Sequence, residues 1–482
     1  MRQRYLEAFR QRIEHASAID EGIRTEIAAR LIEEYGSPSA AADAVWALAR
    51  ENKWYREGEH TERYLLRSAV AVDVRNEAAL TFSVAWHGQI VGQLGHDGFE
   101  WRWQPQDNFN LPLVQQRVPG RLPPFILSLL PEGWLEKVLK DNDERAVLRS
   151  GKRYMSNITI SEDAAELASL PVDMLSVSLS RYARDGLFTG NYAGPGRGKL
   201  EADFEAGLAR LYERADTPRL SGVQIKAPMY LAQDGQLSPS AGLPFTHILK
   251  PAGTSGFQAL PVIEYLAMTL GRASGLEAPD IALVAMPDDM PPALLVERFD
   301  IRTSPEDERR FALEDLCSVL DLPPDAKYDG TIERITRAVR PLSTSAGEDL
   351  LLVIKRALFA WLIGDGDLHL KNLALLKIAG PVADRFSTIR LAPLYDAVTT
   401  RVFPSLEHDR MALKLNGKDD RLRRRDFMQV AAIAGLAATG VGEEIDHFLQ
   451  GFAEAIDGVS LPDLPGVDRD IEERAEAMIA LC

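Results

Sequence analysis

The period of the apolar positions changes along the chain. Up to residue 68, Leu31, Ile32, Ala42, Val45, Trp46 and Leu48 recur at helical spacings, and Gly36-Ser37-Pro38-Ser39 breaks the run. This predicts a helical extension, solvated and packed on the next domain, with Ser37 or Ser39 capping its second helix. A small partner-binding module is the alternative. From residue 69 the pattern turns β-rich. Ala69 to Val74 and Leu80 to Trp86 read as strands. His87-Gly88-Gln89 turns into Ile90 to Leu94, which makes a hairpin. Phe99, Trp101 and Trp103 alternate, as on a half-buried strand.

Residues 217–300 predict a mixed sheet with one helix. Leu220 to Lys226 is a strand or turn, and Phe245 to Lys250 is a strand. Leu260 to Leu270 has helical period with Glu264 near its start. Ala293 to Asp300 is a buried strand ending in charge. From residue 311 helices dominate, and Leu351 to Ile363 is strongly apolar. There is no internal repeat. The glycine-rich stretch 184–199 invites a phosphate-loop reading and fails it. Ala193 stands where the pattern needs glycine, and Leu200 stands where a serine or threonine would meet magnesium. It predicts a connector.

Composition narrows the class. Of 482 residues, 46% are hydrophobic and 26% charged, so a sizeable core is available and global disorder is excluded. The formal net charge of −16 argues against a broad non-specific grip on nucleic acid. Cys317 and Cys482 lack metal-ligand spacing, which fits a reducing cytosol. The charged start does not read as a signal peptide, and no apolar run reaches the roughly 18 residues of a membrane helix.

The most informative stretch is Leu362-Ile363-Gly364-Asp365-Gly366-Asp367-Leu368-His369-Leu370-Lys371-Asn372-Leu373. A long apolar helix ends in glycine and aspartate. Acid, imidazole, ammonium and amide then follow closely, before an apolar strand over Leu373 to Leu376. Asp396 lies 24 residues beyond Asn372. This is the layout of a kinase catalytic loop followed by a metal-binding acid. Asp367 can orient and deprotonate an acceptor hydroxyl, and Lys371 can neutralise charge on a transferring phosphoryl group. Asn372 and Asp396 are hard oxygen ligands suited to Mg²⁺. A plain polar turn has no reason to pack His, Lys and Asn so tightly. Upstream, Lys250 ends a strand and Glu264 lies on the next helix, the order of the lysine–glutamate pair that holds ATP phosphates in protein kinases. Glu297 to Phe299 sit where a hinge between lobes would meet adenine, with Phe299 able to stack on the base. Other plans do poorly. No G-x-S-x-G elbow occurs, neither cysteine adjoins a histidine, and the histidines form no HExxH pair. The run Lys418 to Asp426 mixes acids with bases and predicts a solvated helix start.

On these residues the chain resembles the HipA family of toxin-type serine/threonine kinases. Further segments occur in the family's order. They are Trp86 to Gly92, Leu130-Pro131-Glu132-Gly133, Leu220 to Lys226, Thr246 to Lys250, Val296 to Asp300, Glu314 to Cys317, Lys327-Tyr328, Leu394-Tyr395-Asp396 and Met411 to Gly417. The resemblance implies an α+β fold. A small β-rich N-terminal subdomain (69–180), a mixed kinase N-lobe (181–308) and an all-helical C-lobe (309–482) would follow the extension 1–68. It implies Ser221, Gly222 and Lys226 in a loop covering the phosphates, Lys250 as the ATP lysine with Glu264, and Glu297 with Phe299 at the hinge. Tyr395 joins the nucleotide-binding residues. Asp367, His369 and Lys371 form the catalytic set, and Asn372 with Asp396 binds magnesium. Family members arrest growth by phosphorylating an aminoacyl-tRNA synthetase, commonly glutamyl-tRNA synthetase. A helix-turn-helix antitoxin usually neutralises them and carries most of the contact with operator DNA. The implied location is the cytoplasm.

Two positions depart from the family pattern. A serine three residues before the loop glycine is self-phosphorylated in well-known members; here that position is Arg219, with Ser221 the nearby serine. Leu313 stands where a polar residue is expected. Two other readings stay open: a kinase-shaped binding subunit of an antitoxin–DNA complex, and a small-molecule kinase.

Overall fold

In a computed structural model of the protein, the described residues are 80–482 with Glu33, Gly36 and Ala40, apart from 97–99, 107–110, 112, 117, 140–143, 195–200, 254–255 and 289. The expected helical extension, the strand Ala69 to Val74, Phe99 and the end of the glycine-rich stretch lie outside them. The chain forms two units.

Of the first unit, residues 80–83, 92–96, 100–105, 116 and 118–123 are described, besides Glu33, Gly36 and Ala40. Strands β1 (Leu80–Trp86) and β2 (Gln89–His96) form the expected hairpin. His87 (φ 50°) and Gly88 (φ 75°) make a turn of the primed type that suits strand twist. β3 (Trp101–Pro105) pairs antiparallel with β2 from Gly92↔Pro105 to His96↔Trp101. Trp101 is buried against Phe82, with ring centroids 6.2 Å apart.

The second unit, residues 84–91, 106–115 and 124–482, carries the rest. After β4 (Ile158–Ser161) come β5 (Ala183–Arg184), β6 (Leu187–Phe188), β7 (Asn191–Tyr192), β8 (Ala227–Leu231), β9 (Gln236–Pro239), β10 (His247–Lys250), β11 (Ile281–Val284) and β12 (Ala293–Glu297). The last eight form one sheet in the order β5-β6-β11-β12-β10-β8-β9-β7. β10 lies between β12 and β8, with His247 opposite Glu297 and Lys250 opposite Leu294. The apolar strands β11 and β12 bury nearly every residue. Helix α1 (Gly133–Leu139) precedes this sheet, and α2 (Leu260–Ala273) packs on β12 and β11. Pro261 starts α2 without cost, because an N–H in the first helical turn has no intrahelical acceptor. Leu220 to Lys226 is a bent loop rather than a strand.

Residues 309–482 are mostly helical: α3 (Leu316–Val319), α4 (Ile332–Val339), α5 (Ala346–Ile363), α6 (Arg424–Ile433), α7 (Ala438–Ile456) and α8 (Arg469–Leu481). They are not all helical. β13 (Arg310–Asp315), β14 (Ala374–Ala379) and β15 (Thr388–Leu391) form a three-stranded antiparallel sheet. Its strands carry charge that the fold buries as pairs, which hides their apolar pattern. The Lys377 ammonium donates to the Glu314 carboxylate, both side chains being at most 2% exposed. β14 begins at Ala374, two residues after Asn372, so the sheet fixes one end of the Asp367–Asn372 loop. The other end is set by Gly364. Its left-handed backbone (φ 66°) closes α5 by donating to the carbonyls of Ala360 and Trp361, a conformation glycine adopts without a Cβ penalty.

Candidate active site

A cleft of about 730 Å³ in the second unit is lined by every site residue read from the sequence. From the loop leading into β8 come Ser221, Gly222 and Lys226, and from the sheet and α2 come Lys250, Glu264, Glu297 and Phe299. The helical part supplies Asp367, His369, Lys371, Asn372, Tyr395 and Asp396.

Lys250 is the centre of charge. Its ammonium lies 2.5 Å from Glu264 Oε1 and also donates to Asp396 Oδ1. Lys226 Nζ stands 3.6 Å from Asp396 Oδ2 and donates to the Ser221 carbonyl at 3.5 Å. Burial works against the Lys250 charge, but Asp396 and Glu264 outweigh it and raise its pKa. Burial likewise opposes the Asp396 carboxylate, yet Lys226 and Lys250 hold it below the usual range. Burial lowers Lys226, and Asp396 offsets part of that. Gly222 (φ 108°) takes a left-handed backbone that a side chain would strain. Gly133 (φ 61°) fills the same need below the loop, where a Cβ would meet the Val223 backbone at 2.6 Å.

The loop after α5 is bonded internally. Asp367 N–H donates to Asp365 Oδ1 at 2.9 Å, and Asn372 Nδ2 donates to the Asp367 carbonyl at 2.9 Å. Burial raises the pKa of Asp365 well above the usual range, with Asp367 adding to it. Burial also raises that of Asp367, and a hydrogen bond from Tyr328 offsets part of the shift. His369 is pushed down to about 3 by burial and then by Lys327, so it is neutral at physiological pH. Its ring packs edge-on to Tyr328 at 5.2 Å.

Lys371 is not the free cation that the sequence suggests. It pairs with the Glu132 carboxylate and donates to the Ser128 carbonyl at 2.9 Å. Tyr395 donates its hydroxyl to the Lys371 carbonyl at 2.9 Å, and its ring centroid is 6.0 Å from that of Phe299. The Glu297 carboxylate accepts from Leu179 N–H at 2.6 Å and from the Ser178 hydroxyl at 3.0 Å, so it anchors the segment beside β12. The neighbouring Arg298 is buried between Asp173 and Asp300, which ties down the start of the hinge segment.

The residues fit a magnesium ion that keeps most of its coordination outside the protein. Asn372 commits its amide nitrogen to the Asp367 carbonyl, and its oxygen accepts no hydrogen bond among the described residues. Asp396 adds a carboxylate. Among the described residues no cluster of three or more His, Cys, Asp or Glu could cage a metal alone. A site with one or two protein ligands, completed by phosphate oxygens and water, suits Mg²⁺.

Tyr328, Glu132 and Asp315 also line the cleft, without a role legible in the sequence. Lys327-Tyr328 and Leu130 to Gly133 stand out there only as recurring segments. Asp315 is pushed up to about 6 by burial, partly offset by Lys371. Arg219 lies outside the cleft. Its guanidinium is buried and donates to the carbonyls of Tyr212 and Ser150, each at 2.6 Å. Leu313 lines the cleft and binds no ligand group through its apolar side chain.

Residues 219–457 match the family described as HipA-like C-terminal domain. The "Putative kinase Y4mE" of Sinorhizobium fredii is 28% identical over 401 residues, spanning 78% of this chain and 90% of that protein. The "Putative kinase Y4dM" of the same organism is 29% identical over 331 residues, spanning 66% and 70%. Among solved structures, a chain of the Shewanella oneidensis MR-1 toxin–antitoxin complex of HipA, HipB and operator DNA has a TM-score of 0.59. It is 18% identical, with 83% of this chain and 95% of that chain covered. That likeness is one of fold.

Proposed function

Residues 219–457 are a HipA-like C-terminal domain, and from that premise we propose that the chain is an ATP- and magnesium-dependent serine/threonine protein kinase of toxin type. The observation that carries this reading is the meeting of Lys250, Glu264, Asp396, Asn372 and Asp367 in one cleft.

In this reading Glu264 holds Lys250 extended toward the phosphates, and Lys226 brings the Ser221–Gly222 backbone over them. Phe299 and Tyr395 supply aromatic surface for the base. Asp367 receives the proton of the attacking hydroxyl, while the oxygen of that hydroxyl forms its bond to the γ-phosphorus and ADP departs. Asn372 and Asp396 would hold Mg²⁺, which would supply charge neutralisation on the phosphate oxygens. Lys371, held by Glu132 and the Ser128 carbonyl, anchors the end of the loop next to Asn372. Neutral His369 packs the loop and does not exchange protons near pH 7.

The acceptor we propose is an aminoacyl-tRNA synthetase, with growth arrest as the consequence and a helix-turn-helix antitoxin as the partner. Support for the partner comes from the similar fold of a chain solved with HipB and operator DNA. The net charge of −16 agrees with DNA contact made mainly through that partner. The test is to incubate the chain with magnesium, labelled ATP and host lysate, and to locate the label by mass spectrometry. Label on a synthetase, absent with Asp367→Asn, is expected. A general base is worth about 10²–10⁴ in rate. Bound ATP with no phosphoryl transfer to any protein would overturn the kinase reading.

A further inference from the structure

Tyr328 lies 39 residues before Asp367, and its hydroxyl donates to Asp367 Oδ1 at 2.6 Å. The tyrosine is 46% exposed, unusually open for a ring that touches the base of a reaction. Its neighbours are fixed. The Lys327 carbonyl accepts from Leu370 N–H at 3.0 Å, which stitches this segment to the loop of the base. One side of the ring meets the edge of His369, and Lys327 Nζ stands 5.3 Å from its centroid. Among the described residues, Asp367 Oδ2 accepts no hydrogen bond.

We propose that Tyr328 is a positioning residue for the base: it takes Oδ1, locks the carboxylate rotamer and leaves Oδ2 for the acceptor hydroxyl. This rests on the kinase reading of the same cleft. It also gives His369 its use, as the neutral edge that keeps the Tyr328 ring upright.

The test is the initial rate of label transfer by the full chain from magnesium ATP to host-lysate protein, at one fixed pH. Tyr328→Phe keeps the ring, so its melting temperature should stay within about a degree of wild type. It should lower apparent kcat about tenfold and leave KM for ATP within about twofold. Tyr328→Ala should lose more kcat at similar KM. A Phe variant with wild-type kcat would overturn the inference and leave the kinase reading intact. So would phosphate on Tyr328 itself, because the phenol would then be an acceptor. Wild type that transfers no more label to lysate protein than Asp367→Asn would overturn the kinase reading and this inference with it.

Discussion

Lys250→Met should destabilise the protein as well as silence it, and the two effects can be separated. Lys250 and Glu264 side chains are 3% and 5% exposed. Removing the ammonium leaves Asp396 with Lys226 at 3.6 Å, but leaves Glu264 with no ion-pair partner among the described residues. An uncompensated buried carboxylate costs about 3–5 kcal/mol. At about 2.1 cal/mol/K of unfolding entropy per residue, cooperative melting of 482 residues has a slope of ~1 kcal/mol/K. The expected drop in melting temperature is therefore about 3–5 °C. Pairing Lys250→Met with Glu264→Leu removes both charges and should recover most of that loss, because apolar residues of similar volume replace buried ion pairs without penalty. Neither variant should turn over ATP, since both lack the phosphate-facing cation. The assay is thermal unfolding of wild type, both single variants and the double variant, with ADP release on each. A Lys250→Met loss below one degree, or a double variant no more stable than that single, would refute the charge argument.

Arg219→Ser should cost about 2–4 kcal/mol in chemical denaturation. It strands the buried carbonyls of Tyr212 and Ser150 that the guanidinium now satisfies; a loss under about 1 kcal/mol would show that the two hydrogen bonds are not what seats Arg219. His247 is buried beside the Thr246 hydroxyl and pushed down to about 3 by burial. A depressed folded-state pKa gives stability that is present above the unfolded value near 6.5 and is lost as pH falls below it, by about 1.4 kcal/mol per pH unit. The melting advantage of wild type over His247→Gln should therefore shrink steadily from pH 6.5 to 4, and a constant difference would contradict the neutral-histidine assignment.

Much of the site is legible in the chain because it is local. Gly364 ends α5, four chemically distinct side chains follow within one loop, and β14 begins after Asn372. Short-range order of this kind survives in sequence, since each residue's role depends on neighbours a few positions away. The order of Lys250, Glu264 and Asp396 is also visible, and the fold brings them together as that order suggests. The N-terminal hairpin reads from alternation and from a turn that needs positive φ.

Tertiary structure decided the partners. Whether Lys371 stands free or is held by Glu132 depends on two segments 239 residues apart, and no spacing rule reaches that far. The same is true of Tyr328 and the Asp367 carboxylate. The sheet β13–β15 was hidden because Glu314 and Lys377 look solvated in sequence, and only their pairing makes them core. His369 looks like an acid–base group by type and becomes a neutral packing edge by burial. Residue type and order fix which chemistry is available; the surrounding dielectric and the long-range pairings determine each group's charge state and its freedom to act.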